Sequence, residues 1–185
     1  LFLGTKKEVD WAFYKAPLAF RPKLIFEINK ILDNKKIVNP IYDLGEMLES
    51  KNYKIRSKAA QLWLIYESNL SSIKFNFTEI NDELMKYKKN KKDLPNTPFL
   101  EWHYIKNNFF LKPNQLLKNK NKLRNIPINI IQSDYDLLCP PSTSYNFARG
   151  LDLCKIHRVE SAGHYISDPG VKEKMKQLLD DYEQK

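Results

Sequence analysis

Two apolar runs in the last third of the chain have the pattern of buried strands. Residues 127–131 are rich in isoleucine, and two consecutive prolines a few positions later would stop any strand. Residues 154–159 form the second run, which leads into a loop that contains a histidine. Residues 142–151 between them have the length and the end signals of a helix. We therefore predict a strand–helix–strand unit whose two strands are parallel.

The loops after these two strands carry an acid and a histidine. Asp136 follows the first strand and His164 follows the second. The ends of parallel strands meet at one edge of a sheet, so we expect the two side chains to be neighbours. A carboxylate beside an imidazole is the second half of a Ser–Asp–His triad, in which the acid fixes the imidazole tautomer. An acid in a turn and a histidine after a strand are also common without a catalytic role, and the residues alone leave that alternative open.

Helical patterns account for much of the remaining chain. Residues 54–73 contain an apolar stripe with helical spacing, formed by Ala59, Trp63, Tyr66, Leu70 and Ile73. A second stripe predicts a final helix that packs on the sheet, formed by Val171, Met175, Leu178 and Tyr182. Residues 22–50 predict one or two helices interrupted near Pro40, and residues 76–97 predict a lysine-rich loop or weak helix.

The composition is that of a globular chain with a basic surface. A length of 185 residues with 42% apolar residues predicts one domain, or a small domain with an appendage. The net charge of +9 permits contacts with nucleic-acid phosphates. Two clusters carry much of that charge: Lys86, Lys88, Lys89, Lys91 and Lys92, and then Lys118, Lys120, Lys122 and Arg124. Because no stacking pattern or nucleic-acid motif accompanies them, we favour solvated basic loops over nucleic-acid binding.

Cysteine and histidine usage gives a further set of expectations. Cys139 and Cys154 do not suggest a disulfide framework, which favours a cytoplasmic setting. No apolar run approaches the length of a membrane span. The three histidines, His103, His157 and His164, lie in no metal-binding spacing, so we expect no metal and no cofactor.

Several short segments in the C-terminal third resemble the C-terminal part of proline iminopeptidases, aminopeptidases of the α/β-hydrolase fold. They are Tyr135-Asp136, Cys139-Pro140-Pro141, Ala162-Gly163-His164 and Pro169-Gly170. The resemblance implies an α/β fold class, with parallel strands and flanking helices from the C-terminal part of an α/β-hydrolase and an α-helical cap. It implies the end of a core strand at residues 1–7, a helical cap at residues 8–117 and a core portion at residues 118–185.

The resemblance also implies a pocket for the amino terminus of a substrate. The segment that ends at Glu67 is similar to the family's Trp-X-X-Trp-Glu, with Tyr66 in place of the second tryptophan, and that glutamate holds the free amine. The segment around Glu101 is similar to the family's Ile-Glu-Asn-His-Tyr-Phe, with Trp102 and Ile105 in place of the asparagine and the phenylalanine. From the residues alone, Glu67 could equally reach solvent or pair with a lysine.

An aromatic slot for the proline ring is the remaining part of the implied site. In the family, aromatic residues of the cap line this slot, and Phe13 and Tyr14 are the candidates by resemblance. Packing in the core of a helix is the alternative for both residues.

The sequence also departs from the family. It contains neither Gly-X-Ser-X-Gly nor His-Gly-Gly-Pro-Gly, so we interpret the chain as a piece of a longer enzyme whose nucleophile lies upstream. The family's His-Gly-Arg is Gln132-Ser133-Asp134 here, and this second acid could disturb Asp136. The expected partners are a peptide with an N-terminal proline and the N-terminal half of the same enzyme. An inactive remnant or a binding module that keeps the amine pocket is the alternative, and a basic nucleic-acid-binding domain is a third class.

Overall fold

The computed structural model describes residues 1–32, 40–74 and 96–183. It confirms the predicted α/β class, because a helical part precedes a small parallel sheet with flanking helices. The helices of the first part are α1 Lys6–Asp10, α2 Ala16–Phe20, α3 Pro22–Ile31, α4 Pro40–Leu48, α5 Tyr53–Ser71, α6 Thr97–Lys106 and α7 Gln115–Lys118. Shorter helical turns lie at Trp11–Lys15, Asn108–Phe110 and Lys120–Leu123. Most of the predicted lysine-rich stretch at residues 76–97, including its first lysine cluster, lies outside the described residues.

Helix α5 is the centre of the helical part. Ala59, Trp63, Tyr66 and Leu70 are each at most 1% exposed, as the predicted stripe requires, but the prediction is wrong for Ile73. The helix ends at Ser71, and Ile73 beyond it is 37% exposed. Leu62 and Ile65 are also buried, because α3, α4 and α6 surround α5 on more than one side. A single stripe therefore underestimates how much of this helix is in the core.

The C-terminal part contains the predicted strand–helix–strand unit. Strands β1 Ile128–Ser133 and β2 Cys154–Val159 are parallel, and Ile128 pairs with Cys154 at the start of the register. Helix α8, Pro141–Ala148, connects them and packs one face of the sheet with Ile130 and Phe147. Residues 1–5 have no regular secondary structure, and Leu3 joins this small cluster. That residues 1–7 end a core strand stays a prediction, as do the domain limits at 8–117 and 118–185.

The last helix, α9 Val171–Glu183, covers the other face of the sheet incompletely. Val171 is buried against Val159, whereas Met175 is 37% exposed and Tyr182 is 79% exposed. The prediction that the whole stripe packs on the sheet is therefore wrong for Met175 and Tyr182, whereas Leu178 is half-buried. The reason lies in the sheet, because this face carries polar residues toward the strand starts, namely Asn129, Lys155 and His157.

Two further observations bear on the expected partners. Lys120 of the second basic cluster donates hydrogen bonds to the carbonyl oxygens of Asn146, Phe147 and Arg149 near the end of α8, so part of that cluster is structural. Among the residues that the structure describes, no helix combines the length and the apolar character needed to cross a membrane.

Candidate active site

The structure brings Asp136 and His164 into direct contact. Nδ1 of His164 lies 2.9 Å from Oδ2 of Asp136, which is hydrogen-bonding distance. The Asp136 side chain is 10% exposed and the His164 side chain 39% exposed, so the acid lies behind a ring that solvent can reach. With Nδ1 directed at the acid, the second ring nitrogen, Nε2, remains for another group. This is the arrangement of acid and base in a triad.

The loop after β1 holds Asp136 from behind. Oδ1 of Asp136 accepts hydrogen bonds from the backbone N–H groups of Leu138 (3.0 Å) and Cys139 (2.7 Å). Gln132, 3% exposed, donates from Nε2 to the carbonyl oxygen of Cys139 at 3.1 Å and accepts a hydrogen bond from Ser144. Gln132, which departs from the family's histidine at that position, thus fixes the loop that carries the acid.

The histidine loop is attached to the end of α5. The backbone N–H of His164 donates to the carbonyl oxygen of Ser71 at 2.9 Å. A Cβ atom on Gly163 would lie 2.7 Å from that carbonyl oxygen and 2.8 Å from Oδ2 of Asp168. Gly163 does not have a left-handed backbone, so close approach rather than a special turn requires glycine here. The helical part of the molecule therefore sets the position of the imidazole.

Two neighbours raise the affinity of His164 for a proton. The hydrogen bond with Asp136 is the larger cause and a hydrogen bond with Cys139 is the next, and together they raise the pKa of His164 above its usual value of 6.5. Burial acts in the opposite direction but more weakly. The charged imidazolium is therefore the form that these two residues favour.

Glu67 and Glu101 form a pair of half-buried carboxyl groups near the histidine. They share a hydrogen bond, and Nε1 of Trp63 donates to Oε2 of Glu101 at 2.6 Å. Burial, followed by the charge of Glu67, raises the pKa of Glu101 to about 7. Burial also raises the pKa of Glu67, which the hydrogen bond from Glu101 and the charge of His164 partly offset. The pair therefore retains a proton that a bound cation would displace.

One pocket of about 500 Å³ joins these groups. Both glutamates and His164 line it, and Phe13 forms part of its apolar wall. Tyr66 does not line the pocket but supports that wall, since its ring stacks on Phe13 at 6.1 Å and its hydroxyl donates to the Phe13 carbonyl oxygen at 2.8 Å. Tyr14 lies outside the pocket and is 40% exposed, because it occupies a different face of the turn that contains Phe13.

Sequence reasoning missed other residues that line the pocket. Phe109 is the clearest, and it belongs to a run of three left-handed residues, Asn108, Phe109 and Phe110, with φ between 49° and 57°. Such a backbone is costly for residues with side chains. Its effect here is to set the Phe109 ring edge-on to Phe2, with 5.3 Å between ring centroids. The available signal in the sequence was the Asn107-Asn108 pair before the two phenylalanines, because asparagine tolerates a left-handed backbone.

The two substitutions noted in the segment around Glu101 have different consequences. Trp102 points away from the pocket, where its indole packs over Gly45 and its Nε1 donates to Oε1 of Glu49 at 2.8 Å. Ile105 lines the pocket in place of the family's phenylalanine, and so this position changes the pocket's shape. Consecutive residues of a helix are rotated by about 100° around its axis, so the side chains of Glu101 and Trp102 point in different directions. The tryptophan therefore does not disturb the position of Glu101.

Asp134 does not approach His164. Its two carboxylate oxygens each accept a hydrogen bond from Arg158 of β2, at 2.7 Å. This two-point ion pair lies on the exposed side of the strand ends and lowers the pKa of Asp134. The concern that a second acid disturbs Asp136 thus has no support in the geometry.

The other two histidines lie away from the pair. His103 is exposed and its ring is 5.4 Å from that of Phe110. Nε2 of His157 is 2.8 Å from Oδ1 of Asn129 across the sheet. Neither ring lines the pocket.

The fold and the site together have the features of the C-terminal part of an α/β-hydrolase, because an acid and a histidine meet at the ends of parallel strands beside a helical part. No family model matches the chain. Several similar proteins carry proline iminopeptidase in their names. The relative from Mycoplasma pneumoniae is 31% identical over 192 residues, covering 97% of this chain and 57% of that protein. The relative from Arabidopsis thaliana is 25% identical and covers 97% of this chain and 48% of that protein.

The third relative, from Leptolyngbya boryana, is 26% identical and covers 92% of this chain and 52% of that protein. The chain thus spans about half the length of the curated relatives it matches. The resemblance to the C-terminal part of proline iminopeptidases is confirmed along nearly the whole chain.

Proposed function

We propose that this chain provides the acid, the histidine and the amine-binding glutamates of a serine-type aminopeptidase that releases an N-terminal proline from peptides. The observation that carries the proposal is that one pocket contains both His164, paired with Asp136, and the Glu67–Glu101 pair. A base and an amine site in one pocket are what an enzyme needs in order to cut the first peptide bond.

His164 performs the proton transfers. With Nδ1 bound to Asp136, Nε2 takes the proton of an attacking serine hydroxyl and later gives it to the departing amine. The serine comes from a segment outside these 185 residues, since no Gly-X-Ser-X-Gly occurs in them. Asp136 stabilises the imidazolium that forms during each transfer.

The glutamate pair selects a free amino terminus. An incoming ammonium group offsets the repulsion between Glu67 and Glu101, so the shared proton is released and both carboxylates bind the substrate. A peptide with a blocked amino terminus offers no positive charge and leaves the pair in its protonated form. The pocket therefore prefers peptides with a free terminal amine over blocked ones.

The apolar wall accounts for proline at the first position. Phe13 and Phe109 line the pocket beside the glutamates, and Ile105 narrows it less than an aromatic residue would. A pyrrolidine ring is compact and apolar, and burying it against this wall is favourable. The secondary amine remains a charged donor for the carboxylates.

The test uses the complete natural protein that contains this chain. It hydrolyses a proline-based chromogenic amide, and His164→Ala reduces kcat by at least about a thousandfold, as expected for loss of the general base. Glu67→Gln mainly raises KM, since it removes binding of the amine. His157→Ala, which removes a half-buried histidine outside the pocket, is the control and keeps wild-type rates. Equal activity of the His164 variant and the wild type would refute the assignment.

A binding module is the second candidate, because the amine pocket is formed within this chain whereas the nucleophile is not. In that case, the 185-residue chain binds prolinamide by calorimetry, and Glu101→Gln abolishes the signal. Glu160→Gln, a carboxylate that is 77% exposed beside Arg158, is the control. Retained binding with no turnover in the complete protein would favour this candidate over the enzyme.

A further inference from the structure

Cys139 lies beside the acid–histidine pair and has no role in the proposed reaction. The Asp136 carboxylate, the Cys139 thiol and the His164 imidazole each offer one donor atom, and these three atoms lie within 4.8 Å of one another. The thiol is 8% exposed, and both Cys139 and His164 line the pocket. The sequence spacing gave no sign of this cluster, because the histidine comes from a different loop.

A carboxylate, a thiolate and an imidazole are donors that Zn²⁺ prefers. In a tetrahedral zinc site with ordinary bond lengths, the donor atoms lie about 3.3 to 3.6 Å apart. In this structure the Nδ1–Oδ2 distance is 2.9 Å, which is shorter than the distance in a zinc site. No two of the three donor atoms are more than 4.8 Å apart, which is longer than that distance. The three donor atoms are therefore already close to the separations that a zinc site requires.

The cluster is also held in place by its surroundings. Oδ1 of Asp136 is fixed by two backbone N–H groups, and the His164 backbone is fixed by Ser71. Such supporting contacts orient metal ligands and strengthen binding. Glu67 lines the same pocket as Cys139 and His164, so a further carboxyl group lies near the cluster.

We propose that Asp136, Cys139 and His164 form a binding site for Zn²⁺ on the pocket wall, and that the bound metal blocks the histidine. On binding, the thiol proton leaves to solvent and an unprotonated imidazole nitrogen takes the metal. The carboxylate then contacts the metal rather than the imidazole, so the acid–base pair is separated. The binding part stands independently, whereas the blocking part rests on the proposed function.

Binding is tested on the 185-residue chain with Zn²⁺, and with Co²⁺ as a spectroscopic probe. We expect one zinc ion per chain in competition with a chromogenic chelator, and a thiolate-to-cobalt charge-transfer band in the near ultraviolet. Cys139→Ser removes the band and weakens zinc binding at least about tenfold, and His164→Asn weakens it similarly. Cys154→Ser and His157→Ala, which change the same residue types outside the cluster, leave both signals unchanged.

Several outcomes overturn the site. These are no zinc binding by a wild-type chain that is folded by circular dichroism, an unchanged cobalt band in Cys139→Ser, or loss of the band in Cys154→Ser. Asp136→Asn is the further variant if Cys139→Ser does not fold, and it must also weaken zinc binding. None of these measurements uses turnover, so failure of the proposed activity does not decide them.

The blocking role is tested in the complete protein with the proline amide. Zinc inhibits the wild type and Cys154→Ser at the same concentration, whereas Cys139→Ser needs at least about tenfold more zinc for half inhibition. Equal zinc sensitivity in all three would overturn the blocking role while the binding data stand on their own.

Discussion

The helical part and the sheet part of this molecule differ in how completely their apolar faces are covered. Helices α3, α4 and α6 surround α5, and their shared core includes side chains with no exposed surface, such as Leu24 and Leu44. The sheet has two strands, and the helix that ends the chain buries one residue, Val171, among those described. A helical cluster can close around its own core, whereas a sheet face remains uncovered until enough strands and helices are present.

The candidate site depends on both parts. Leu138 and Cys139 belong to the loop after β1, yet they pack in the core of the helical part. His164 follows β2, yet its backbone is bound to the end of α5. The helical part, which is the better packed of the two, therefore holds in place the loops of the sheet part that carry Asp136 and His164.

Paired leucine truncations give the sharpest test of this difference. Leu24→Ala, at a side chain with no exposure, lowers the free energy of unfolding by about 2 to 5 kcal/mol because it leaves a cavity. Leu179→Ala, at a side chain that is 59% exposed in α9, changes it by less than about 0.5 kcal/mol. Urea unfolding measures both values. Similar losses for the two leucines would show that the sheet part is as well packed as the helical part.

Gly163→Ala tests the attachment of the histidine loop to α5. The new methyl group would lie 2.7 Å from the Ser71 carbonyl oxygen, so the loop moves and the free energy of unfolding falls by about 1 to 3 kcal/mol. The His164 ring resonance shifts in NMR as its contact with Asp136 is lost. Gly150→Ala is the control, since it meets no atom within 4 Å and acts through its φ of 78° alone. A change in the His164 resonance of that control would contradict the attachment.

The titration of His164 measures the strength of the acid–histidine contact. Its NMR titration midpoint lies above 6.5, and Asp136→Asn lowers it because the larger of the two raising causes is removed. The contact stabilises the folded state fully below the unfolded pKa near 6.5, and that contribution is lost as pH rises through the folded pKa. His157 in the same spectra provides the comparison, and an unchanged His164 midpoint in Asp136→Asn would contradict the contact.

The smallest effect is expected at the glutamate pair. Glu67→Gln removes a neighbouring negative charge, so the pKa of Glu101 falls from about 7 but stays above 4.5 because burial remains. In the wild type, the unfolded chain releases this proton first, so the free energy of unfolding decreases between pH 4.5 and 7. The variant shows a weaker decrease in urea unfolding across that range. Glu160→Gln serves as the exposed control, and an identical pH dependence in wild type and Glu67→Gln would refute the charge interaction.

Much of the sheet part could be predicted from the sequence. The apolar runs of β1 and β2 are short and are followed by prolines or a glycine, and the helix between them is present, although at Pro141–Ala148 rather than at residues 142–151. Parallel pairing then places Asp136 and His164 at one edge. The glutamate pair was predicted through the family resemblance. The positions of Glu67 and Glu101 in the sequence do not by themselves indicate that their two helices are neighbours.

The missed features depend on contacts between distant segments. Cys139 follows Asp136 closely in the sequence, but its contact with His164 arises because Gln132 holds the loop. The exposure of Tyr182 depends on polar residues of the sheet face, which no helical periodicity reveals. The position of Tyr14 depends on a π-helical turn at Trp11–Lys15, in which the residue spacing differs from that of an α-helix.

Helix α5 carries the proposed amine ligand and also anchors the backbone of the proposed base. Glu67 lies one turn before Ser71, whose carbonyl oxygen holds the backbone of His164, so about 6 Å of rigid α5 separates the two positions along its axis. Under the proposed function, α5 sets a fixed distance between the residue that binds the substrate's amino nitrogen and the residue that anchors the base. This distance leaves room for a single amino acid between the amine and the scissile peptide bond, so such an enzyme removes residues one at a time and does not release dipeptides.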